Sequence, residues 1–175
     1  MKFTALLLTF LFLFAFSTNL FAQNGDVTII LLRHAEKDLS PGADKNDPEL
    51  SAEGKLRAER LVEVIKKYHP TQFYTTNYRR TRATLAPLAA TTVPAGFIRQ
   101  VQYYDHNELE DFAARLLKTN AGGTIVVAGH NTTTPTLANF LLKSEKYKYL
   151  QDNEYDKIFI IKIKGNKITD EVIKY

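Results

Sequence analysis

The sequence predicts an α/β protein: a three-layer α/β/α sandwich with a mostly parallel central sheet and a C-terminal β-hairpin at its edge. Three observations point there. Asp26 to Leu32 and Gly123 to Ala128 are β-branched, apolar runs of the kind found in strands buried on both faces. Segments of strand character alternate with segments of helical spacing through most of the chain, the pattern of parallel βαβ units. The last two segments, Lys157 to Lys164 and Lys167 to Lys174, flank Gly165-Asn166, a short-hairpin signal. Their lysines suit an exposed sheet edge.

The elements follow in order. Met1-Lys2 gives a positive start, Phe3 to Phe16 an apolar run, and Ala22 a small residue before Gln23. The run is short for a membrane span, so residues 1–22 are expected to be a signal peptide and 23–175 the folded domain. The expected product is periplasmic or secreted, with no stable membrane anchor after cleavage. The strand at Asp26–Leu32 comes next. Ser51 is then placed as an N-cap with Glu53 in the first helical turn, where a carboxylate suits the helix dipole. Leu56, Leu61, Ile65 and Tyr68 fall near helical spacing up to His69-Pro70, where proline stops the helix. Gln72–Thr75 reads as a strand, Arg79–Ala90 as a helix, Ile98–Tyr103 as a strand and Glu108–Leu117 as a helix. After the Gly123–Ala128 strand, Pro135 sits at a plausible first helical position and the helix continues to Leu142.

A chain of 175 residues, 45% hydrophobic and 24% charged, supports one core rather than two. The net charge of +4 is spread over scattered residues, with no basic run or aromatic interleaving to form a nucleic-acid groove. The absence of cysteine removes disulfides, thiolate nucleophiles and Cys-ligated zinc together.

In folds of this class, ligands collect at the carboxyl ends of the parallel strands. Two histidines stand immediately past the two most buried strands, in Leu32-Arg33-His34 and Ala128-Gly129-His130. A third strand end leads into Arg79-Arg80, and a fourth into Tyr104-Asp105-His106-Asn107-Glu108. Histidines, arginines and a carboxylate on one edge suit phosphoryl transfer. Arginines neutralise phosphate oxygens, a neutral imidazole attacks phosphorus, and a carboxylic acid protonates the leaving oxygen.

Four segments also carry a family resemblance. Leu32-Arg33-His34-Ala35-Glu36-Lys37 resembles the Arg-His-Gly signature of the histidine phosphatase (phosphoglycerate mutase-like) superfamily, with Ala35 at the glycine position. Leu50-Ser51-Ala52-Glu53-Gly54 with Ala58 is similar to its Leu-Thr-x-x-Gly-x-x-x-Ala helix start. Thr76 to Thr84 resembles its Ser-x-x-x-Arg-x-x-x-Thr segment, aligning its arginine with Arg80. Val127-Ala128-Gly129-His130-Asn131 is similar to its second-histidine motif. The four stand in the right order and span nearly the whole of 23–175. The resemblance implies a compact, metal-independent phosphatase without cofactors, acting on a small phosphorylated substrate. It implies His34 as nucleophile, with Arg33, Arg80, protonated His130 and the backbone N–H of Asn131 around the phosphate. Asp105 or Glu108 would be the proton donor.

Plainer readings stand beside these. His69 closes a helix, Arg79 and Arg82 are surface or salt-bridging, Glu36 and Lys37 pair locally or line the pocket mouth, and Thr132-Thr133-Thr134 is first a helix-capping cluster. His106 is read as exposed beside the pocket. His34-Ala35-Glu36 matches the start of a zinc deaminase motif but lacks its cysteines, and no Gly-x-Ser-x-Gly elbow is present. The rival to an enzyme is a non-catalytic module that keeps the phosphate pocket and lacks a competent acid.

Overall fold

The computed structural model describes residues 25–92, 100–118 and 122–175. Its elements are β1 (Val27–Arg33), α1 (Ala52–Ile65) continued by a 3₁₀ turn (Lys66–Tyr68), β2 (Pro70–Thr75), α2 (Arg79–Thr91), β3 (Val101–Tyr103), α3 (Leu109–Leu117), β4 (Gly123–Gly129), α4 (Thr133–Leu142), β5 (Lys157–Lys164) and β6 (Lys167–Lys174). Among the described residues, six strands form one sheet in the order β3-β2-β4-β1-β5-β6. The first four run parallel, and β5 and β6 are antiparallel additions.

The two-sided burial of β1 and β4 explains their unbroken apolar runs. Ile29, Leu31, Ile125 and Val127 face Phe112 and Leu116 of α3 and Leu137 and Leu141 of α4. Their neighbours Ile30, Leu32, Val126 and Ala128 face the other way, onto Leu61 and Ile65 of α1 and Leu85 and Leu88 of α2. Side chains alternate across a strand, so each strand serves two cores and the sheet becomes the middle of three layers. Each such Ile or Leu contributes on the order of 1.5–3 kcal/mol by burial.

The tail hairpin forms as the sequence suggests. Gly165 has φ +56°, the left-handed value that a two-residue hairpin loop demands. Its inner strand β5 pairs with β1 and buries Ile158 to Ile161, while β6 is the mostly exposed edge.

Three sequence expectations need correction. Leu56 is 56% exposed. The inner face of α1 is Gly54, Ala58, Leu61 and Ile65, and Leu56 lies two residues from both Gly54 and Ala58, on the opposite side of the turn. Strand β3 covers only Val101–Tyr103, and positions 98 and 99 lie outside the described residues. Helix α4 starts at Thr133, so Pro135 stands inside its first turn, where its missing N–H has no helical partner to lose. The expected signal peptide, 1–22, also lies outside the described residues. No helix among those described is long and apolar enough to cross a membrane.

Candidate active site

Strands β1 and β4 run in register with Arg33 opposite Gly129, and the His34 N–H donates to the Gly129 carbonyl at 2.9 Å. The pairing brings the two motif histidines together, with ring centroids 5.5 Å apart at 69°. A side chain at position 129 has no room: a Cβ there would come within 2.7 Å of Thr133 Oγ1 and 2.8 Å of the Tyr104 hydroxyl. Thr133 Oγ1 accepts from the His130 N–H at 2.9 Å, and the Thr134 hydroxyl donates to the Leu32 carbonyl at 3.1 Å. The threonine cluster thus fixes the second-histidine turn and ties it to the end of β1.

His34 is 3% exposed, and its Nδ1 lies 2.7 Å from the Ala35 carbonyl. A carbonyl only accepts, so Nδ1 carries the proton and Nε2 keeps the lone pair. Burial is the main cause that pushes its pKa down to about 3. The Ala35 bond opposes that shift, while His130, Arg33 and Arg80 add to it. The imidazole is therefore neutral near pH 7. His130 is also pushed down, to about 4, by burial and then by Arg80, His106, Arg33 and Lys37. The protonated His130 expected from the sequence is not the state of the unliganded pocket, because burial and positive neighbours disfavour its charge. An anion beside the ring would raise this pKa. His130 Nε2 and Thr76 Oγ1 share a hydrogen bond of 3.0 Å.

Arg33 is 3% exposed and fastened from one side. Its Nη1 donates to the carbonyls of Gln151, Asp152 and Glu154 at 2.9, 3.1 and 3.0 Å, and its guanidinium carbon sits 3.9 Å from the centroid of the Tyr155 ring. Tyr155 also stands 6.1 Å from the His34 ring. Arg80 is less satisfied. Its guanidinium carbon is 4.4 Å from the Tyr78 ring centroid, and Nε and Nη1 are buried without a hydrogen-bond partner among the described residues. The Asp47 carboxylate lies 3.5 Å from that Nη1.

The spacing from Arg80 to Thr84 has a structural cause. One helical turn separates them, and the Thr84 hydroxyl donates to the Arg80 carbonyl at 2.7 Å while accepting the Ala35 N–H at 2.9 Å. The same hydroxyl therefore locks the loop after His34 to the helix that carries Arg80. On the other flank, Ser51 caps α1 by accepting from Gly54 N–H at 3.1 Å, and its own N–H donates to the Glu36 carbonyl at 2.9 Å. A Cβ on Gly54 would lie 2.3 Å from that carbonyl oxygen, so only glycine lets α1 approach the loop. Glu36 pairs with Arg57, and Arg79 with Asp47 and Glu49, in line with the plainer readings of Glu36 and Arg79.

The segment after β3 distributes its groups unevenly. Asp105 Oδ1 accepts from both the backbone N–H and the side-chain amide of Asn107, at 2.8 and 3.0 Å, and its side chain is 53% exposed. Glu108 is exposed at the N-terminal boundary of α3. His106 instead stands 5.9 Å from the His130 ring and 5.8 Å from Tyr78. Asn131 joins the His130 turn to the loop that holds Arg33, its amide reaching Asp152 and its carbonyl accepting from Leu150 N–H.

Residues 29–102 match the histidine phosphatase superfamily (branch 1). That stretch holds Arg33, His34 and Arg80. No curated protein matches. Among solved structures it is similar to a phosphoserine phosphatase from Entamoeba histolytica in complex with 3-phosphoglyceric acid, at 17% identity and TM-score 0.62 over 85% of this chain and 97% of that one. It is also similar to a mycobacterial glucosyl-3-phosphoglycerate phosphatase in complex with VO3, at 17% identity and TM-score 0.60 over 85% and 98%. At these identities the likeness is one of fold. The superfamily match ends at residue 102, short of the second-histidine segment, yet the fold places that segment beside His34.

Sequence reasoning missed Tyr78, Tyr155, Asp47 and the reach of His106. Thr76 and Thr84 were visible as motif letters without a role. Asp47 and Tyr155 sit in aperiodic loops and had no detectable signal.

Proposed function

We propose that this chain is a phosphatase that hydrolyses small phosphomonoesters through a phosphohistidine on His34, without a metal. The observation that carries the reading is the state of His34: a neutral imidazole, with the proton fixed on Nδ1 by Ala35 and a lone pair free on Nε2, next to Arg33, Arg80 and His130. Nε2 attacks phosphorus and forms the N–P bond as the ester oxygen leaves; water then cleaves that bond and releases phosphate. Arg80, whose buried Nε and Nη1 lack a hydrogen-bond partner among the described residues, and the remaining face of Arg33 are preorganised for the charge on the equatorial oxygens. His130 gains its proton as the anion binds. The structural neighbours described as phosphatases support the same reaction class.

The test is hydrolysis of an aryl phosphate by residues 23–175 with chelator present, alongside His34→Ala. Turnover in the parent and none in the variant is expected. Near-native activity in His34→Ala sinks the mechanism.

A binding-only reading is favoured by one observation, the exposure of Asp105 and its engagement with Asn107. It predicts phosphate binding with no turnover in the parent. Export directed by residues 1–22 belongs to the proposal too, and a secreted product whose N-terminus is not near Gln23 overturns it.

A further inference from the structure

We propose that His106 is the acid that protonates the leaving oxygen, in place of the carboxylates beside it. The inference rests on the phosphatase reading. In-line displacement puts the nucleophile and the acid on opposite sides of phosphorus. Approach, ester bond and hydrogen bond together separate their nitrogen or oxygen atoms by about 7 Å. The acid therefore belongs one ring beyond the groups that hold the phosphate. His106 has that position: its ring adjoins His130 at 5.9 Å, and His130 adjoins His34 at 5.5 Å. It is 37% exposed, so a leaving group and water both reach it.

Three groups surround the imidazole. The rings of Tyr78 and His130 hold two sides, and Asp105 Oδ1 lies 4.0 Å from Nδ1. With Nδ1 on the Asp105 side, Nε2 is the ring nitrogen left for the leaving oxygen. Asp105 itself is turned to Asn107 and acts as a positioning residue. Glu108 is exposed at the N-cap of α3, where its side chain makes no capping hydrogen bond.

The step balances. His34 Nε2 forms the N–P bond, the P–O ester bond breaks, and the His106 proton passes to the departing oxygen. Neutral His106 then takes a proton from the water that attacks phosphorus, and the N–P bond breaks with its electrons returning to His34.

Acid assistance matters for poor leaving groups and little for good ones. The experiment compares an alkyl phosphate with 2,4-dinitrophenyl phosphate in the parent, His106→Gln, Asp105→Asn, Glu108→Gln and His34→Ala. His106→Gln is expected to lose on the order of 10²–10⁴-fold on the alkyl ester and less than about 10-fold on the aryl ester. Added imidazole should restore alkyl turnover in His106→Ala, a rescue that misfolding does not permit. Equal losses on both esters, no loss, or a selective loss in Asp105→Asn or Glu108→Gln instead overturns the assignment. If His34→Ala is also dead on both esters, only the donor fails. An inactive parent, or an active His34→Ala, removes the phosphatase reading and this inference with it.

Discussion

The Nδ1–H of His34 donates to the carbonyl of the next residue, Ala35, at 2.7 Å. The ring is thus oriented by its own chain neighbour, through a backbone carbonyl. The charges around it, from His130, Arg33 and Arg80, all push its pKa down.

This environment sets an acid sensitivity. His34 and His130 have native pKa values of about 3 and about 4, below the ordinary value of about 6.5. Between those values the unfolded chain binds more protons. The stability contributed by keeping these rings neutral is complete above about pH 6.5 and falls as pH drops towards the native values. The slope is up to about 1.4 kcal/mol per pH unit for each proton. Urea unfolding from pH 7 to pH 4 should show a shallower loss in a His34→Asn/His130→Asn double variant. An unchanged slope means that other groups govern acid unfolding.

Thr84→Val keeps the side-chain shape and removes the hydroxyl. The buried Ala35 N–H then loses its acceptor at 2.9 Å. A cost of about 1–3 kcal/mol is expected in denaturant unfolding. Activity should fall by more than stability accounts for, because the loop after His34 is no longer tied to α2. Wild-type stability in this variant contradicts the link.

Asp47 places a carboxylate 3.5 Å from Arg80 Nη1 and accepts the Arg79 N–H at 2.9 Å. Asp47→Asn keeps an acceptor for that N–H and removes the charge that competes with phosphate. Product inhibition by inorganic phosphate should strengthen by about 3–10-fold, in the range of one partly exposed ion pair. Weaker inhibition shows that Asp47 instead holds Arg80 in its binding pose.

Gly54→Ala puts a methyl 2.3 Å from the Glu36 carbonyl oxygen. Backbone must move at the start of α1 or in the loop after His34, at about 1–3 kcal/mol. Thermal unfolding measures the loss. A Tm at or above that of the parent shows that the loop yields without cost.

Much of this was legible in the sequence, for physical reasons that differ by element. β1 and β4 announced themselves because strands buried on both faces have no polar alternation. The hairpin did so because a two-residue loop needs a residue such as Gly165. His34 and His130 were legible because strand ends in parallel sheets converge. Leu56 misled because an apolar residue near helical spacing satisfies a pattern without facing the core. The pocket's other walls come from loops 38–49 and 150–156, where no periodicity marks Asp47 or Tyr155. The expectation of a carboxylate donor at Asp105 or Glu108 rested on the family resemblance and on chain position after β3, neither of which carries the contacts of Asp105 with Asn107 or of His106 with Tyr78 and His130.

The three carbonyls that fasten Arg33 come from positions 151, 152 and 154, and β1 is flanked by β4 on one side and β5 on the other. During synthesis Arg33 and His34 therefore leave the ribosome long before their partners exist. Such pairings carry a high loop-closure cost and form late. A nascent chain holding all of residues 25–142 still lacks the anchor of Arg33 and one neighbour of β1. Competence for chemistry should arrive abruptly, with the last strands, rather than growing as the chain lengthens.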